Sequence, residues 1–132
     1  AMSGLMPHQI VNKNPYIQSD IDYESWAFMK VEVPLENGIE NVKLLNVNKD
    51  DKWYLVSDTY GENKRTLIYG YKNKLEARGK TTELFDSFEV LDTDNRESEY
   101  TGDIEVTGLL VQTEGADNIK EASARLGIAN KN

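Results

Sequence analysis

Short apolar stretches, separated by turn-forming residues at intervals of roughly 8–15 positions, run the length of the chain and predict an all-β sandwich or barrel. The clearest strand is Trp26 to Val33. There Ala27, Met29, Val31 and Val33 fall on one face and Lys30 and Glu32 on the other, with Trp26 and Phe28 sharing the polar face and covering its end. Pro34 and Glu36-Asn37-Gly38 are expected to end it. Upstream, Gln9 to Gln18 is polar and carries Pro15, which cannot donate to a ladder, so it reads as an edge strand. Ser19-Asp20-Ile21-Asp22 then turns the chain.

Val42–Val47 and Lys52–Ser57 flank Asn48-Lys49-Asp50-Asp51, which reads as a hairpin loop, and in the second of these strands Trp53, Leu55 and Ser57 alternate with Tyr54 and Val56. Asp58 to Asn63 turns again into Arg65–Tyr71, rich in β-branched and aromatic residues, and the strands on either side of this loop are expected to pair antiparallel. Asn73–Lys80 is polar. Leu84–Leu91 resumes strand character, with Phe85, Phe88 and Val90 as core residues. Asp103–Thr113 is the last strand. Ile104, Val106 and Leu110 share one face across Gly108, with Leu109 and Val111 on the other, which predicts a central strand or one whose second face is covered. One helix follows: Asp117 caps it, Ile119, Ala122, Ser123 and Leu126 recur at helical spacing, and Gly127 stops it. About ten residues are too few to persist alone, so it must pack on the sheets.

The 132 residues fit one domain, residues 5–132, and a domain of this size buries enough apolar surface to need no staples. Ala1-Met2-Ser3-Gly4 reads as a remnant of tag removal, which implies that the natural N-terminus and any signal peptide have been cut away. With no cysteine, disulfide and thiolate chemistry are excluded. Fifteen basic and twenty-three acidic residues give a formal charge of −8, a field that repels nucleic-acid phosphates and anionic lipid. No apolar run approaches the ~18 residues of a membrane span.

Candidate chemistry is sparse. His8 is the single histidine, beside the cut end, and a solvent-exposed loop residue is the plainer reading than a catalyst. Asp92, Asp94, Asn95 and Glu97, with Glu99, offer oxygen ligands for Ca²⁺, but the run lacks the glycine and spacing of an EF-hand loop, so a solvated acidic loop is the stronger expectation. Asp50 and Asp51 are weaker candidates still. Trp26, Trp53, Tyr54, Tyr69 and Tyr71 could form a sugar-stacking surface, although aromatics alternating along strands more often pack in a core or across strands. No catalytic residue and no required cofactor is expected.

Three ordered segments resemble the TasA/camelysin-like family of exported Gram-positive proteins. The first is Asn12-Lys13-Asn14-Pro15-Tyr16-Ile17 followed by Ala27-Phe28-Met29-Lys30-Val31. The second is Gly79-Lys80-Thr81-Thr82-Glu83-Leu84-Phe85-Asp86-Ser87-Phe88. The third is Asp103-Ile104-Glu105-Val106-Thr107-Gly108, then Leu110-Val111-Gln112-Thr113-Glu114-Gly115 and the helix at Asp117. Residues 37–74 carry no match. The resemblance implies a jelly-roll or immunoglobulin-like antiparallel β-sandwich with one short helix toward the C-terminus, export to the cell surface, and a role as subunit of a fibre or biofilm matrix alongside other matrix proteins. It also implies a further strand before Leu5 that inserts into the next subunit. The alternatives are a camelysin-type secreted peptidase, which a casein-turnover assay with and without chelator separates, and a carbohydrate- or host-binding adhesin.

Overall fold

The structure is a computed structural model and describes residues 10–12, 14–36, 38–40, 42–91 and 104–126. Its strands are β1 (Ile10–Asn12), β2 (Ser25–Glu36), β3 (Ile39–Glu40), β4 (Val42–Leu45), β5 (Trp53–Tyr60), β6 (Lys64–Tyr71), β7 (Ser87–Val90) and β8 (Glu105–Gln112), and its helix is α1 (Ile119–Leu126). Among the described residues they form two antiparallel sheets. One has the order β1-β7-β4. In the other β2 is central, with β6 and then β5 on one side and β8 and β3 on the other. This is the all-β architecture with one short helix that the pattern predicts.

The alternation in β2 creates two cores. Ala27, Met29, Val31 and Val33 face the three-stranded sheet and pack with Trp53, Leu67, Tyr71, Leu84, Phe85, Phe88 and Val90. Trp26 and Phe28 face the other way and form a second cluster with Ala116, Ile119 and Ala122 under α1. The Trp26 indole N–H donates to the Ala116 carbonyl at 3.4 Å. The helix is capped one residue later than expected. Asn118 Oδ1 accepts from the Glu121 amide at 2.9 Å, and Glu121 reaches back to the Asp117 amide at 2.8 Å, a variant of the reciprocal capping box. Gly127, the expected stop, lies outside the described residues.

Gly70 sets how closely α1 can dock. A Cβ at that position would sit 2.5 Å from Ile119 Cγ1 and 3.1 Å from Phe28 Cε2. Gly70→Ala is therefore expected to cost about 1–3 kcal/mol by overpacking. It should red-shift the emission of Trp26 as α1 lifts, which tryptophan fluorescence and urea unfolding together would reveal.

Three further features differ from the sequence expectation. Pro34 does not end β2, which continues to Glu36. Leu35 donates its amide to Asn63 on the β6 side at 2.8 Å, so the neighbouring Pro34 nitrogen points the other way and costs that ladder nothing. The Val42–Val47 and Lys52–Ser57 segments are not a hairpin: β4 pairs with β7 and β5 with β6, in different sheets. Left-handed backbone at Asn46, Asn48 and Asp51 carries the connection across the sandwich, and the Asn48 amide holds it by bonding both the N–H (2.9 Å) and the carbonyl (3.0 Å) of Trp53. The turn after β5 is shorter than Asp58–Asn63, because β5 runs on to Tyr60. Of the two readings of β8, a central strand or one whose second face is covered, the second holds in part: among the described residues β8 pairs only with β2, and its second face is covered where Val111 meets the Trp26 cluster and open at Leu109.

The polar N-terminal segment is an edge as expected. β1 pairs with β7, and the chain continues alongside residues 79–84 through the bonds of Pro15, Ile17 and Ser19.

Candidate functional site: a cleft between two strand edges

Among the described residues, strand order leaves β4 at one edge of the small sheet and β5 at one edge of the large sheet on the same flank of the sandwich. Between them lies a cleft of about 270 Å³, with apolar walls from Val33, Val42, Leu44, Leu55, Leu67 and Tyr69. Leu55 is 45% exposed there, a large apolar side chain left facing solvent in an inner-facing register. Along β4 the Leu45 carbonyl accepts from the Asp86 amide of the β7 side at 3.2 Å. Strand geometry then turns the backbone groups of Leu45 and Lys43 toward β7, and those of Leu44 and Val42 toward the unpaired edge. An open edge beside an apolar groove is a template for another strand.

The two edges are not equivalent. β5 carries a bulge: Leu55 pairs with Tyr69, but Ser57 rather than Val56 pairs with Ile68. A bulge disrupts regular pairing and is a common way to blunt an edge. β4 has an unbroken register from Val42 to Leu45.

The same bulge builds a polar cluster at one end of the cleft. Strict alternation places Ser57 on the inner face with Leu55. The extra residue shifts the phase, so Asp58 pairs with Leu67 and Tyr60 with Arg65, and both turn inward. Arg65 donates from Nε (2.9 Å) and Nη2 (2.8 Å) to the two Asp58 oxygens. Its Nη1 is 3.5 Å from Glu40 Oε2, and its guanidinium lies 4.9 Å from the Tyr60 ring centre. The Tyr60 hydroxyl donates to Glu40 Oε2 at 2.6 Å. β3, β5 and β6 are thereby tied together at the point where the chain crosses from the large sheet into β4. On the outer face, Lys64 pairs with Glu32, lowering the carboxyl pKa and raising that of the amine.

The cluster has a defined pH window. Hydrogen bonds from Arg65 hold the Asp58 carboxyl below its ordinary value. A depressed folded-state value means that stability from this group is present above the ordinary Asp range, near ~4, and is lost as pH falls through the lower folded value. Hydrogen bonding to Glu40, with burial, raises the Tyr60 phenol. Its contribution is therefore present below the ordinary Tyr value, about 10, and is lost as pH rises through the higher folded value. Urea unfolding should show the stability difference between the wild type and Arg65→Met shrinking toward pH 3, and that between the wild type and Tyr60→Phe shrinking toward pH 11. A constant difference would rule out titration of this cluster.

The candidates from the sequence lie elsewhere. Asp92, Asp94, Asn95, Glu97 and Glu99, and His8, lie outside the described residues. Asp50 accepts from the Lys52 amide at 3.2 Å, and Asp51 pairs with Lys72 at 3.0 Å. Trp26, Trp53 and Tyr71 are buried, and Trp53 meets Tyr71 edge-on at 5.0 Å, so these three make no stacking surface for a sugar. Tyr54 and Tyr69 are half-buried. Among the described residues no three His, Asp or Glu side chains gather as metal donors, and no helix is long and apolar enough to cross a membrane. Sequence reading missed Glu40, Asp58, Tyr60 and Arg65, which share no local motif; the bulge that unites them has no signature in β5 itself.

Comparison of the chain with protein-family models, curated proteins and solved structures found no match to any of them.

Proposed function

We propose that this chain is an exported structural subunit of a cell-surface fibre or biofilm matrix, of the TasA/camelysin-like kind, which takes a β-strand of a neighbouring subunit into the cleft beside β4. The observation that carries this reading is the apolar cleft lying between two strand edges that no described residue pairs. An added strand would bond to the outward backbone groups of Leu44 and Val42 and send alternate side chains against Leu55, Leu67 and Tyr69. The bulge in β5 favours pairing on β4, which would extend the small sheet to β1-β7-β4 plus the incoming strand. A donor from one copy and an acceptor in the next make a head-to-tail contact that does not close, so it propagates as a filament.

The test adds upstream of Leu5 the donor strand that the resemblance implies and follows assembly by electron microscopy and size exclusion over a range of protein concentrations. Filaments that disappear on removal of the upstream segment support the reading. Monomers at every concentration overturn it.

A further inference from the structure

We infer that the shallow hollow around Tyr16, where the β4–β5 connection meets residues 79–84, is a binding subsite for a neutral pyranose saccharide. Three segments distant in the chain build it, and hydrogen bonds between their backbones lock them together. The Thr81 amide donates to the Ile17 carbonyl at 2.9 Å, and the Ile17 amide donates to Thr81 Oγ1 at 2.9 Å. The Leu84 amide donates to the Pro15 carbonyl at 2.9 Å, and the Asn48 amide to the Leu84 carbonyl at 2.7 Å. With Ile17 buried in the core, alternation turns its neighbour Tyr16 outward. The hollow measures about 440 Å³ and shares no lining residue with the cleft beside β4.

The chemistry of the walls selects the ligand. Tyr16 is 51% exposed, a large amphipathic ring held toward solvent. Such a ring stacks on the C–H face of a sugar and removes water from both. Around it stand Lys49, Lys80, Asp50 and Glu83, two amines and two carboxylates whose formal charges cancel, in a chain of formal charge −8. A balanced set exerts no net pull on an anion or a cation. It does offer both donors and acceptors, which is what neighbouring sugar hydroxyls require. Each group is already steadied: Lys49 by Asp86 at 3.0 Å, Asp50 by the Lys52 amide at 3.2 Å, Glu83 by Asn14 at 3.4 Å, and Lys80 by the Tyr16 ring, 5.8 Å from its centre. A carboxylate accepts up to about four hydrogen bonds, so these contacts leave capacity for a ligand. An open hollow with a single ring implies millimolar affinity. Avidity from one subsite per subunit of a filament rests on the proposed function; the subsite itself is a property of the monomer.

NMR titration of the folded chain tests this, with β-1,4-linked hexamers of glucose and of N-acetylglucosamine as neutral probes and a galacturonate hexamer as the acidic one. A neutral hexamer should move the amides of residues 16–17, 48–51 and 80–84 saturably below about 20 mM. Tyr16→Ala should weaken binding about tenfold or more, and Tyr16→Phe, which keeps the ring face, less than about threefold. Tyr16 and the four charged residues are exposed, so their variants should fold as the wild type does. Asp50→Asn/Glu83→Gln removes both negative charges. It should weaken the neutral hexamer severalfold and tighten the galacturonate hexamer, a reversal that mere loss of structure would not produce. If Tyr16→Ala does not fold, that reversal decides. No saturable shift with either neutral hexamer, unchanged affinity in Tyr16→Ala, or tighter binding of galacturonate than of the neutral hexamers by the wild type overturns the subsite. Strand uptake beside β4 is read in a separate assay, so failure of one reading leaves the other standing.

Discussion

Replacing Phe88 by alanine is expected to remove about 3–5 kcal/mol of stability, the largest effect of any single change considered for this chain. Phe88 is fully buried in the middle strand of the small sheet, where it pairs with Val11 on β1 and Leu44 on β4. Its ring belongs to the core shared with Ala27, Met29, Val31 and Trp53, so truncation loses the transfer energy of the side chain and leaves a cavity that rigid strands on both sides cannot fill. A domain stable by about 5–15 kcal/mol would lose roughly a fifth or more of that margin. Urea unfolding should report the loss as a lower midpoint with an unchanged slope. Phe88→Leu, which keeps most of the volume, should cost markedly less. Equal costs for the two variants would mean that the site collapses freely and that the sheets are not locked together at this residue.

Leu55→Glu is expected to separate folding from assembly. Leu55 is 45% exposed in the unoccupied cleft, so a carboxylate there stays hydrated and stability should change by about 0.5–1 kcal/mol at most. Once a strand fills the cleft, the same carboxylate would be desolvated against an apolar side chain, at a cost of about 2 kcal/mol or more, which weakens strand uptake by roughly thirtyfold or more. Titrating a strand peptide into the two monomers by calorimetry measures the ratio. Leu55→Ala should be intermediate, since it removes contact area without adding charge. Equal peptide affinity in Leu55→Glu and wild type would remove the cleft between β4 and β5 as the docking place, whatever the chain does elsewhere.

These two residues also mark how far local sequence reaches. Phe88 and Val90 are recognisable as core from alternation alone, because a strand with one buried face repeats every two residues, whereas Phe85 lies three positions before Phe88, outside β7, and is buried all the same. The same alternation marks Ala27, Met29, Val31 and Val33 on β2. The spacing of Ile119, Ala122 and Ser123 likewise announces the buried stripe of α1, all three being buried. Leu55 is recognisable as inward-facing, but not as exposed. Its exposure follows from the absence of any described strand pairing along the outer edge of β5 and from the distance between that edge and β4. Both are consequences of which strands joined which sheet.

What the amino-acid sequence determined by itself, then, is the strands other than β3, the faces that β2 buries, the antiparallel β5–β6 hairpin and the amphipathic helix, because each depends on spacing within a few residues. What only the tertiary structure decided is how those pieces are partnered. Asn48 and its left-handed neighbours send the chain from β4 across the sandwich instead of back along it, Pro34 is tolerated because its nitrogen faces away from β6, and an extra residue in β5 turns Asp58 and Tyr60 inward to meet Arg65 and Glu40. The physical reason is one of range. Side-chain direction is written in a two-residue period, whereas pairing partners, bulges and ion clusters are selected by the energy of surfaces brought together from distant parts of the chain.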